Sequence, residues 1–114
     1  MRKIKLQCLG ATCFVYFDYE EFKKSHIEKS EWEKHGDEEG LSAGNGIYVD
    51  LNGEQPLLTG LHELSHFIDW LFVEQFPQIT QEQGTEIRAR VTVYLYEKFI
   101  KIIEKNIDRL KDKP

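Results

Sequence analysis

The chain has 114 residues, 40% hydrophobic and 31% charged, which sets the expectation of one domain over 1–114 with a single modest core. A net charge of −5 gives a nucleic-acid partner no electrostatic support, and His62, Glu63, His66 and Asp69 interrupt the longest apolar stretch and argue against a membrane span there. The N-terminal MRKIKLQCLG lacks the long apolar core of a secretory leader, so a reducing, cytoplasmic setting is expected.

Lys3 to Phe17 reads as a β-hairpin. Ile4, Leu6 and Cys8 alternate with Lys3, Lys5 and Gln7, and Phe14 to Phe17 is a strand-forming run. Gly10-Ala11 fits a type II′ turn, a register that puts Cys8 opposite Cys13. A cross-strand disulfide is then geometrically conceivable, but a reducing setting favours two small half-buried side chains. Asp18 with Glu21 three residues on resembles a helix start, and a helix or loosely helical, charge-dense segment is expected to run to about Lys34. Trp32 is expected to dock on the core, and His26 and His35 to lie on the surface. Gly36 to Gly46, with four glycines, reads as a loop. Ile47 to Leu51 reads as a strand closed by Asn52-Gly53; it is either an internal strand or one that pairs with an extended peptide.

A helix from about Pro56 to Glu74 is the strongest structural expectation. Pro56 suits a first helical position, and apolar residues surround the polar ones. On it lie His62, Glu63 and His66, the pattern H-E-x-x-H, which three fixed residues in five produce by chance on the order of once in a few hundred such chains. Residues four apart on a helix sit about 40° from each other and roughly 6 Å along it, so two imidazoles converge on one ion. Glu63, about 100° round from His62, cannot easily join that coordination sphere but reaches the water on the open position. The blander reading is a helix whose histidines are satisfied by hydrogen bonds; three polar groups on a largely apolar helix make that costly.

Phe76 to Gly84 reads as a connection. A long helix follows from about Thr85 to Lys111, with Ile87, Val91, Tyr94, Leu95, Phe99, Ile102, Ile103, Ile107 and Leu110 on one broad face. A catalytic zinc needs a third protein ligand. Asp69 is about 10 Å along the axis from His62, too far to ligate, and is expected to accept a hydrogen bond from His66. Glu74 lies farther still. Glu82 falls in the connection, and Glu86, opening an antiparallel helix whose Ala89 allows close approach, is favoured.

These residues resemble a small gluzincin, a zinc peptidase with H-E-x-x-H on one helix and a Glu ligand on the next. Glu86 stands 20 residues after His66, a spacing similar to thermolysin-type enzymes. The order strand, motif helix, Glu86-x-x-Ala89 is similar to ImmA/IrrE-type metallopeptidases, and the length to minigluzincins. The likeness covers roughly 46–95. Arg90 departs from it, since thermolysin-like sequences carry there an Asp that supports a ligand histidine. Tyr48, Tyr94 and Tyr96 are available to stabilise an oxyanion, but none is singled out. The resemblance implies an α+β zincin-like domain, a small antiparallel or mixed sheet packed on a motif helix and a long C-terminal helix. It also implies hydrolysis of a peptide or protein substrate, with zinc on His62, His66 and Glu86 and Glu63 as general base. Two alternatives stand beside this expectation: a regulatory zincin cleaving one specific partner, and a non-catalytic binding protein stabilised by zinc.

Overall fold

The computed structural model describes residues 3–8, 10–29, 31, 38–75 and 81–111, excluding the side chains of 75, 81–84 and 111. In chain order the elements are β1 (Ile4–Cys8), β2 (Ala11–Tyr16), α1 (Tyr19–His26), β3 (Gly40–Ala43), β4 (Gly46–Val49), α2 (Pro56–Trp70), a π-helical turn (Leu71–Gln75) and α3 (Gln81–Lys111). This is the expected α+β class, a four-stranded mixed sheet and three helices. The sheet order is β1-β2-β4-β3. Each outer pair is antiparallel, and β2 and β4 are parallel, so two hairpins join side by side. Among the described residues no helix is long and apolar enough to cross a membrane.

Period-2 alternation decides what each face of the sheet covers. Cys13, Val15, Ile47 and Val49 face Leu64, Phe67, Ile68, Leu71, Val91, Leu95, Phe99 and Ile103 of the long helical arm, forming the main core. Tyr16 and Tyr48 face the other way and enclose Phe22 of α1, with Phe14 packed against them. Strand β4 is buried along its whole length because both faces are covered. Of the apolar stripe expected on the last helix, Val91, Leu95, Phe99 and Ile103 are buried, whereas Ile87 and Tyr94 remain 36% and 45% exposed.

The hairpin register differs from the expected one. Cys8 pairs with Ala11, and Cys13 with Leu6. Gly10 takes φ 79°, where an L side chain is strained, and occupies the second turn position rather than the first. Cys8 and Cys13 become diagonal neighbours on one face and remain thiols; burial pushes both up in pKa, Cys13 more. The expected loop over Gly36 to Gly46 contains a strand instead: β3 pairs with β4 from Gly40↔Val49 to Ala43↔Gly46. Accordingly the strand expected over Ile47 to Leu51 is the internal β4, ending at Val49, and β3 is one edge of the sheet. Helix α3 begins at Gln81, four residues before the expected start. Trp32, His35 and Pro77 lie outside the described residues, as does the side chain of Glu82.

Asp18 caps α1 by accepting from the Glu20 backbone N–H at 2.9 Å, as expected, but the helix ends at His26, where Ile27 turns extended. His26 is not the surface residue that the sequence suggests. Its Nε2 lies 2.9 Å from the Tyr16 hydroxyl, its ring stacks on Phe22, and a Cβ on Gly46 would sit 2.6 Å from it. Burial, then the Lys3 ammonium, lowers its pKa below the ordinary 6.5. Between that depressed value and about 6.5 the unfolded chain binds more protons than the folded one, so this stabilisation is lost as pH falls through the window. Urea midpoints from pH 7 to 5 should therefore fall less steeply for His26→Phe than for the wild type; equal slopes would show that the imidazole is not held neutral.

Helices α2 and α3 touch where α2 carries a glycine. A Cβ on Gly60 would lie 2.6 Å from Phe99 Cε1 and 3.4 Å from Val49 Cγ2. Phe99 is fully buried and has no room to swing. Gly60→Ala gains about 0.5–1 kcal/mol of helix propensity but overpacks a closed core, at about 1–3 kcal/mol. The overpacking wins: the urea midpoint should drop by the equivalent of about 1–2 kcal/mol, whereas an unchanged or raised midpoint would show that the helices separate freely.

Candidate metal centre

Pro56, whose missing N–H is not needed at N1, opens α2, and its turns carry His62, Glu63 and His66 to one end of the sheet. The imidazoles converge. His62 Nε2 and His66 Nε2 are 3.3 Å apart, with the rings edge to face and 4.9 Å between centroids. Two nitrogens held about 2.0–2.1 Å from a tetrahedral ion stand about 3.3–3.4 Å from each other, so the observed separation matches that of two zinc-ligating imidazoles. The same distance suits one imidazole donating its N–H to the other, the bland alternative.

Glu63 differs from both histidines in environment. Its side chain is 11% exposed against 67% for His62, and its Oε2 lies 4.0 Å from His62 Nε2. The cause is β3. A Cβ on Gly40 would meet Thr59 Cγ2 at 2.5 Å, Glu63 Cγ at 3.1 Å and Glu63 Oε2 at 3.3 Å, so the edge strand lies directly against the carboxylate's stem. Gly40 and β3 are the parts of the site that sequence reasoning missed. A glycine in a glycine-rich segment carries no mark of what approaches it, and the short GLSA strand has no alternating pattern.

The expected third ligand is placed elsewhere. Glu86 accepts from Arg90 Nε at 3.0 Å, and both side chains are largely exposed. Asp69 pairs with Arg88 of α3 instead of orienting His66. Asp69 near Arg88 and Gly60 under Phe99 make the two helices antiparallel and fix their register. By that register Glu86 lies opposite the π-helical turn, roughly six residues or 9 Å beyond His66 along α2. Among the described residues no three His, Cys, Asp or Glu side chains gather closely enough to hold a metal ion. The structure thus brings together His62, Glu63 and His66, but not Glu86.

Of the tyrosines, Tyr48 faces α1 across the sheet from α2. Burial first, then Asp50, Asp18 and Tyr19, push its pKa up to about 12. Tyr94 lies exposed on α3 beside a cleft lined by Gln7, Cys8 and Gly10, and Tyr96 packs against the main core. No family model, curated protein or solved structure matches this chain.

Proposed function

We propose that the chain is a zinc-dependent peptidase. One observation carries the reading: two imidazole nitrogens spaced for a tetrahedral ion, with the partly desolvated Glu63 carboxylate beside them. His62 and His66 would hold a zinc ion through Nε2, with Glu86, once released from Arg90, as the third ligand. Bound there, zinc would supply Lewis acidity, lowering the pKa of a bound water towards neutrality and polarising the scissile carbonyl. Glu63 takes a proton from the attacking water and delivers it to the leaving amine. Gly40 and Thr59 hold its stem in place, and burial keeps competing solvent from the carboxylate.

The substrate on this reading is an extended peptide. Strand β3 is the sheet edge nearest Glu63, so a chain pairing with it by backbone hydrogen bonds passes over the carboxylate. A regulatory zincin restricted to one partner protein shares this mechanism. A second reading is a zinc-stabilised binding protein without catalysis. Zinc-loaded protein incubated with an unfolded protein substrate and a peptide library tests the proposal. Cleavage that a chelator stops and zinc restores is expected. A protein that binds zinc, unfolds on chelation and cleaves neither substrate fits the second reading and overturns peptidase activity on general substrates.

A further inference from the structure

On the face of the sheet opposite α2, a pocket of about 490 Å³ opens between β1 and α1. Its described lining is Lys3, Lys5, Tyr16, Glu21, Lys24 and Ser25. Lys5 lies on β1 and Lys3 just before it, two residues apart, and the Lys3 ammonium stands 4.8 Å from the centre of the Phe14 ring. Lys24 and Ser25 come from the last turn of α1. Three ammonium groups and one carboxylate leave a local excess of positive charge in a chain whose net charge is −5. Concave walls with an aromatic floor focus such a field. The floor is Tyr16, buried and fixed through its hydroxyl to His26.

The donor chemistry narrows the ligand. Lysines are compact charges with rotatable donors that suit a phosphate from any direction, and the planar fork that Arg offers a carboxylate is lacking from the described lining. The lysine stems and the Tyr16 ring supply apolar wall for an organic body, and the volume lies within the range of small-molecule sites. Glu21 repels a bare anion but accepts from a hydroxyl on the ligand's body. We infer that this pocket binds a small phosphomonoester with a hydroxyl-bearing organic body, the chemistry of a nucleoside monophosphate. Lys3, Lys5, Lys24 and Ser25 hold the phosphate, Tyr16 lies under the body, and Glu21 takes the hydroxyl. The inference is independent of the metal site.

The test is a titration of the isotope-labelled full chain, followed by NMR, with adenosine monophosphate, inorganic phosphate and adenosine at constant ionic strength. Adenosine monophosphate should give saturable shifts at Lys3, Lys5, Tyr16, Lys24 and Ser25, phosphate weaker ones at the same residues, and adenosine none. The His26 imidazole pKa should rise in the complex, because the bound phosphate neutralises the Lys3 field that lowers it. A double variant, Lys5→Ala with Lys24→Ala, removes two exposed side chains and should keep its dispersed spectrum while losing about tenfold or more in affinity. Lys101→Ala on α3 should lose nothing. Shifts from adenosine equal to those from the monophosphate, equal losses in the control variant, or no saturable response up to on the order of 10 mM would each overturn the inference.

Discussion

Glu63→Gln should lower kcat/KM for peptide hydrolysis by about 10²–10⁴-fold and leave the zinc content unchanged. Gln has nearly the shape of Glu, so the stem remains seated against Gly40 and Thr59 and the fold has no cavity to close. What it loses is the ability to accept and return a proton, a contribution of about 3–5 kcal/mol to the barrier. The metal stays because the convergence of the two imidazoles belongs to the helix and not to Glu63: their nitrogens meet at 3.3 Å through the i, i+4 geometry alone. The assay is turnover of a quenched fluorescent peptide beside elemental analysis of the same sample. Loss of zinc together with activity would give Glu63 a structural role, and full activity in the variant would remove it from proton transfer.

That expectation rests on a motif that could be read directly, and the supporting parts of the site could not. Helical periodicity and Pro56 placed the start of α2, because buried apolar positions and a proline constrain one helix locally, while the expected end at Glu74 falls in the π-helical turn that follows Trp70. The same held for the face of α3 carrying Val91, Leu95, Phe99 and Ile103, all of which the structure buries. Pairings between distant segments were hidden. The hairpin register turned on whether Gly10 took the first or second turn position, and a one-residue choice re-paired both cysteines. Strand β3 exists because β4 offers it a backbone edge and α2 lies close above it, and neither fact is written in Gly40 to Ala43. His26 has no neighbours in sequence that foretell the aromatic cluster around it; Tyr16, Phe22 and Gly46 assemble through tertiary contact. The spacing of Glu86 from His66 was legible, whereas the sliding register of α3 on α2 depends on where Phe99 finds room over Gly60.

Zinc at about a thousand times its dissociation constant should stabilise the chain by about 4 kcal/mol, and His66→Ala should abolish that gain. The comparison that locates the third ligand is Glu86→Ala beside Glu82→Ala. Capture of Glu86 has to break its pairing with Arg90 and shift the first turn of α3 past Asp69–Arg88. Both ion pairs are solvent-exposed, and such pairs contribute about 0–1 kcal/mol each. Glu86→Ala should then lose most of the zinc-dependent rise in melting temperature, and Glu82→Ala should keep it. A full rise in Glu86→Ala with none in Glu82→Ala would move the third ligand one helical turn towards the start of α3, and a full rise in both would leave the two histidines as the only protein ligands established for the ion.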